Sequence, residues 1–553
     1  MTPRRALLPL AALVFVTGFL AQPAGPAETA PAARAVASLP ALPARWPSTH
    51  LELGLADAPG GAAALHAASP FGFRYQYLAG GVNTGNGWAT WNPNGQFVSL
   101  YDADSVANHI TPVFPYYQLL QSAPAAGGDE KARDLSNLVN HTTMAAYYND
   151  LRLFFQRAAG ATPVVLHVEP DLWGYIEQAS ATSDDATAIP ASVDSSGDAA
   201  LAGLPNTAAG FAQAVVRLRD QLAPNVILAY HLSVWGTNHD IGIENSPDSQ
   251  VDTLAARAAA FYRSLGAAFD VAFTDIADRD ADFKKIQYGD GGATWWDDAD
   301  FVRYARFIAG FVSGAGTRVV LWQVPLGNTK MLAQDDTWGH YQDNRVQWFL
   351  DDPGGTHLAL WRDAGVIALL YGGGASGTTC ACDARNDGIT NPPAINGNTG
   401  VSVSADDDGG YFHQRAAGYY NAGALALDPG SGGGGSGGGG GAGVAHWSLS
   451  AAPSPKSVAR RHTVTVTVHI KASIAIRAVV RVDVYDRTGH LAFRHTYSAR
   501  TYRAGSSVTF HPVFYVAGTR RLGTYKIKIR VLSSPGGTLL VTKTSTRTFR
   551  VRA

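Results

Sequence analysis

The chain has 553 residues, with 43 Lys and Arg against 44 Asp and Glu, a formal net charge of −1. That length favours more than one domain, and 46% hydrophobic residues exclude wholesale disorder. Two cysteines exclude a disulfide-built scaffold.

Taken in chain order, residues 1–24 carry Arg4 and Arg5, then an apolar run from Ala6 to Ala21 and small residues after it. This is the pattern of a secretory signal peptide, too short for a membrane span, and it predicts a secreted or periplasmic protein. No later apolar run is long enough to cross a bilayer, so no transmembrane span is expected after signal removal. Residues 25–45, rich in Ala and Pro, read as a tether.

Residues 46–428 alternate short apolar runs with helical patterns. Strands are expected over Leu51–Ala56, Phe73–Leu78, Thr111–Tyr116, Pro163–Val168, Val226–His231, Val271–Thr274, Val319–Val324 and Val366–Tyr371. Helices are expected over Leu135–Ala159, Ala208–Leu222, Val251–Ala267, Asp298–Val312 and His340–Leu350. Near-continuous apolar strands belong to a parallel sheet covered by helices, and eight such units predict an α/β fold, a (β/α)8 TIM barrel. No Gly-x-Gly-x-x-Gly follows the first strand and no phosphate-binding Gly-Lys-Ser/Thr loop occurs, so no nucleotide cofactor is expected. No Gly-x-Ser-x-Gly elbow supports a lipase-type triad.

Residues 429–444 are an almost pure Gly linker, and residues 445–553 switch to period-two alternation. Runs at His462–Lys471, Ala478–Tyr485, Leu491–Ser498, Ser507–Val516, Thr524–Val531 and Leu539–Val551 predict a separate all-β, immunoglobulin-like sandwich. From Lys456 onward there are 19 Lys and Arg against only Asp483 and Asp486, which leaves 24 cations against 42 acids in the rest. A module of that charge suits an anionic envelope polymer or acidic polysaccharide as partner, through steering that weakens with salt. Solvation of its outer strand faces, or docking onto the acidic part of the chain, is the blander reading. Export argues against nucleic acid as a partner.

Catalytic groups of a TIM barrel sit at the C-terminal ends of its strands. The fourth strand ends in His167-Val168-Glu169-Pro170-Asp171-Leu172-Trp173, a carboxylate with aromatics beside it. Glycoside hydrolysis needs one carboxyl group to protonate the leaving oxygen and another as nucleophile or base. Glu169 is therefore the candidate acid/base, with Pro170 stiffening its exit. Asp171 is either a substrate contact or the N-cap of the next helix. The sixth strand offers Asp275 as the partner carboxylate, with Asp278 in reserve beside Arg279 and Asp280. Trp173, His231, Trp235, Trp322, Gln323 and Tyr371, at or near strand ends, would line a carbohydrate cleft by stacking and hydroxyl bonding. Gln76-Tyr77 and Tyr116-Tyr117-Gln118 occupy matching places.

Glu169 after the fourth strand and Trp322 on the seventh resemble secreted TIM-barrel glycoside hydrolases of the cellulase and mannanase kind. The resemblance implies an acid/base at Glu169. The Asn that usually precedes that residue in the group is Val168 here, and Gln323 stands where the nucleophile would be expected.

His167 and Glu169 share a strand face, and His231 lies on the next strand, so a metal site can be imagined. Histidines inside barrels more often bond to the core or to substrate, and no metal is expected. Cys380-Ala381-Cys382 leaves a strained bridge, free thiols and intermolecular pairing open. The main expectation is a secreted glycoside hydrolase acting on a polysaccharide. The alternative is a non-catalytic carbohydrate-binding or envelope-associated protein on the same scaffold.

Overall fold

Eight apolar runs pair in chain order and close into one parallel barrel: β1 (Glu52–Ala56), β2 (Phe73–Tyr75), β3 (Thr111–Tyr116), β4 (Val164–Val168), β5 (Val226–His231), β6 (Val271–Asp275), β7 (Val319–Val324) and β8 (Val366–Tyr371). The computed structural model describes residues 39–181, 183–352, 354–372, 377–430, 447–472, 476–498, 500–502, 507–532 and 539–553. The expected signal peptide, most of the tether and most of the glycine linker lie outside the described residues.

Closure is made by β1 against β8, with Gly54 opposite Leu370. β4, β5, β7 and β8 are buried at every position, which explains why they read as continuous apolar runs. The expected helix 135–159 is two helices, Glu130–Val139 and His141–Ala158. Asn140 separates them because its side chain accepts the Thr143 N–H as an N-cap. The helix expected from His340 begins only at Arg345.

The expected tether gives way to structure before residue 45. Leu39 and Leu42 pack on the barrel core, and the Leu42 N–H donates to the Pro429 carbonyl. Arg318, at the start of β7, donates through Nε to the Pro40 carbonyl (2.6 Å) and through a terminal nitrogen to the Asp428 carbonyl (2.5 Å). One buried guanidinium thus ties the two ends of the barrel region together beneath the sheet.

The C-terminal region is a two-sheet sandwich of β9 (Trp447–Ser454), β10 (Ser457–Ala459), β11 (Thr463–Ala472), β12 (Ile476–Tyr485), β13 (Leu491–Thr496), β14 (Arg500–Tyr502), β15 (Ser507–Phe510), β16 (Val513–Tyr515), β17 (Gly523–Leu532), β18 (Leu539–Thr544) and β19 (Phe549–Arg552). One sheet runs β10-β19-β17-β12-β13, with β14 on β12 and β18 on β17; the other runs β15-β11-β16, with β9 on β11. Val464, Val466, Val468 and Ile470 of one sheet meet Val480, Val482, Val484, Ile527 and Ile529 of the other in a common core. The run expected over 507–516 is divided around Pro512, which has no N–H for a ladder. No helix among the described residues is long and apolar enough to cross a membrane.

Candidate active site at the barrel mouth

The chain leaves β4 through two left-handed residues, Glu169 (φ 43°) and Asp171 (φ 70°), with Pro170 between them. Non-glycine residues pay roughly 1–3 kcal/mol for such backbone, and this strain concentrates at functional sites. The turn sends the two carboxyl groups in different directions. Glu169 points under the loop after β3, where it accepts the N–H groups of Gln118 (3.2 Å) and Leu119 (3.3 Å) and is 1% exposed. Burial pushes its pKa up to about 8, against the opposing pull of those amides. It does not line the cavity at the barrel mouth.

Asp171 does line it. Although it directly precedes the helix Leu172–Ala179, its side chain makes no capping bond. One carboxylate oxygen instead lies 3.8 Å from His231 Nε2, and an Asp275 oxygen lies 3.7 Å from the same nitrogen. Two carboxylates from β4 and β6 therefore converge over the β5 histidine. His231 Nδ1 is bonded to His167 Nε2 at 2.9 Å, and both rings are fully buried. Burial depresses both histidines, His231 to about 3, so the pair is neutral at pH 7. His231 Nε2 and Asp275 Oδ1 make no hydrogen bond among the described residues.

Both aspartates are raised above the usual carboxylate range. Enclosure raises Asp171 well above the usual carboxylate range, and the neighbouring Asp275 and Glu130 add to it. Asp275 is raised by burial only to about 6, because the Lys284 ammonium opposes the rise.

The cavity around them is about 620 Å³. Tyr77, Tyr117, Tyr175, Trp235, Trp296 and Trp322 supply aromatic surface. Tyr175 and Trp235 pack with ring centroids 4.9 Å apart, and Tyr77 and Trp322 at 5.6 Å. Successive strand residues face opposite ways, yet Trp322 and Gln323 both line the cavity. The β7–β8 register slips between Leu321 and Val324, and Gln323 takes φ 50°, so a bulge turns both side chains to the mouth. Gln323 Nε2 then donates to the Tyr77 hydroxyl.

Of the residues expected at the site, Asp171, Asp275, Trp235, Trp322 and Gln323 line the cavity, and His231 is fully buried behind the two aspartates. Trp173 and Tyr371 do not. Trp173 is fully buried with its indole N–H on the Val168 carbonyl (2.8 Å), and Tyr371 packs on Phe412. Asp278 also lines the cavity, ion-paired with Arg279 and with Lys284 (3.0 Å). Sequence reading did not single out Glu130, Tyr175, Asp240, Lys284, Trp296 or Arg345. These come from helices and long loops rather than strand ends, and no local pattern marks them. Cys380 and Cys382 are joined in a disulfide, which takes both sulfurs out of their cluster with Asp407.

No protein-family model matches the chain, and no curated protein matches it. Part of it resembles a β-glucosidase from Listeria innocua at 11% identity, covering 60% of this chain and 41% of that one, with a TM-score of 0.20. Another part resembles the CARDB domain of a Pyrococcus furiosus protein at 17% identity, covering 20% of this chain and 90% of that one, with a TM-score of 0.16. Likeness of this size carries no argument about activity. The class of the N-terminal fold rests on its own strand pairing, a closed eight-stranded parallel barrel wrapped by helices.

Proposed function

We propose that the protein is an exported glycoside hydrolase acting on a polysaccharide, with Asp171 as general acid and Asp275 as its ionised partner. The observation that carries this reading is the convergence of two carboxyl groups, both raised by enclosure, on one buried, neutral histidine beside an aromatic cavity. A protonated Asp171 gives its proton to the glycosidic oxygen as the bond to the leaving sugar breaks. Asp275, ionised, either attacks the anomeric carbon or takes a proton from an attacking water. The uncharged His231 holds a ring nitrogen against both carboxylates without neutralising either. Trp235, Tyr175, Trp322 and Tyr77 offer faces for sugar rings, and Gln323 an amide for hydroxyls. Glu169, on this reading, positions the loop after β3 and carries no catalytic step. Secretion through the N-terminal segment and an immunoglobulin-like character of the sandwich belong to the same proposal.

The test is a screen of plant, fungal and bacterial polysaccharides with the wild type, Asp171→Asn, Asp275→Asn and Glu169→Gln. Turnover lost in both aspartate variants and retained in Glu169→Gln supports the assignment. Turnover lost in Glu169→Gln alone overturns it. A second reading, non-catalytic sugar binding, is favoured by Gln323 at the end of β7. Binding without turnover on every polysaccharide would select it.

A further inference from the structure

The positive charge of the C-terminal region is not spread over the sandwich. Alternation places Lys526, Lys528 and Arg530 of β17 outward, opposite the buried Tyr525, Ile527 and Ile529. Register carries the same face across its neighbours: Arg481 lies opposite Arg530, Arg494 opposite Asp483, and Arg550 opposite Thr524. Arg552 follows Arg550 two residues on, and both are exposed. Among the described residues, seven cations thus share one sheet face with one carboxylate, Asp483.

That carboxylate is fully buried among guanidinium groups. Arg494 Nε donates to it at 2.8 Å, Arg481 Nε lies at 3.5 Å, and Arg530 pairs with it as well. Arg530 also donates to the Tyr485 hydroxyl at 3.2 Å. Three cations on one carboxylate leave a positive excess held in fixed positions. Lys526, Lys528, Arg550 and Arg552 have no ion pair among the described residues.

The outer face of the other sheet is built differently. It presents Thr463, Thr465, Thr467, His469, Ser507 and Thr509, with Lys471 at its end. Charge that served solvation alone would have no reason to avoid one sheet and crowd the other.

We propose that the outer face of the β10-β19-β17-β12-β13 sheet is a docking surface for an acidic polysaccharide. Cations on alternate residues stand about 7 Å apart along a strand, and neighbouring strands lie about 4.8 Å apart, a lattice that follows an extended polyanion. Nucleic-acid surfaces that bind single strands add aromatic platforms for the bases. The aromatic on this face, Tyr485, is only partly exposed, with its hydroxyl turned to Arg530. A chain recognised by its charges, with no bases to stack, fits better. The surface stands independently of what the barrel cavity does.

The full-length protein is tested for binding to polygalacturonate, to uncharged dextran and to a short DNA duplex at 50 and 200 mM NaCl. The wild type is compared with the quadruple variant K526Q/K528Q/R550Q/R552Q and with K471Q on the other sheet, after melting curves show both folded. Each contact with a single-stranded polyanion adds about −0.7 to the slope of log affinity on log salt, so four lost contacts remove roughly 3 from it. The expected result is polygalacturonate binding weakened at least tenfold in the quadruple variant and changed less than twofold by K471Q. Equal binding by the quadruple variant, or no wild-type binding to polygalacturonate, overturns the proposal. Tighter binding to the duplex through the same four residues overturns it in favour of nucleic acid.

Discussion

Replacing Glu169 by Gln separates the two carboxyl groups of the β4 turn. In the folded protein this carboxyl is raised from 4.5 to about 8 by burial. A group whose folded pKa lies above its unfolded value stabilises fully below the unfolded value. That contribution then falls as pH rises toward the folded one. At about 1.36 kcal/mol per pKa unit, the wild type should lose on the order of 4 kcal/mol between pH 4.5 and 8 through this residue. The Gln variant has nothing to ionise and still offers a carbonyl oxygen to the Gln118 and Leu119 amides. It should be similar to or slightly less stable than the wild type at pH 5 and clearly more stable at pH 8.5. Eleven of the twelve tryptophans precede the glycine linker, so tryptophan fluorescence in urea reports chiefly on the barrel. A stability difference that stays flat from pH 4.5 to 8.5 would refute a buried, proton-bearing Glu169. A collapse of kcat/KM in the same variant would return the acid/base role to it.

Asp171→Asn should lower kcat by 10² to 10⁴, the usual worth of a positioned general acid, with the fold intact by circular dichroism. The rate should rise through pH 6 as Asp275 ionises; Lys284→Gln, which removes the opposing ammonium, should move that limb to higher pH in a kcat/KM profile. Trp235→Ala should raise KM about tenfold with kcat little changed, because its paired ring with Tyr175 offers stacking surface and no proton-transferring group. Arg318→Met should destabilise the barrel by roughly 1–3 kcal/mol in urea, since it removes the charged donor from the part-buried Pro40 and Asp428 carbonyls. A loss under 0.5 kcal/mol would mean that those contacts do not hold the ends together.

Near-continuous apolar runs marked the eight barrel strands within a few residues, because burial on both faces favours apolar side chains at successive positions. Alternation marked most of the sandwich strands for the complementary reason, one face buried and one wet. The carboxylates near the mouth were also visible, since they follow strands. Which of them faces the cavity was not. That depends on the left-handed backbone at Glu169 and Asp171, and strand periodicity carries no information about a reversal past the strand's last residue. The bulge in β7 is hidden in the same way, and it turns two successive side chains into the mouth where alternation allows one. Composition likewise separated 19 cations from most of the acids. Only pairing register gathered seven of them on one sheet face, because neighbours across a sheet are set by hydrogen bonds between strands far apart in the chain.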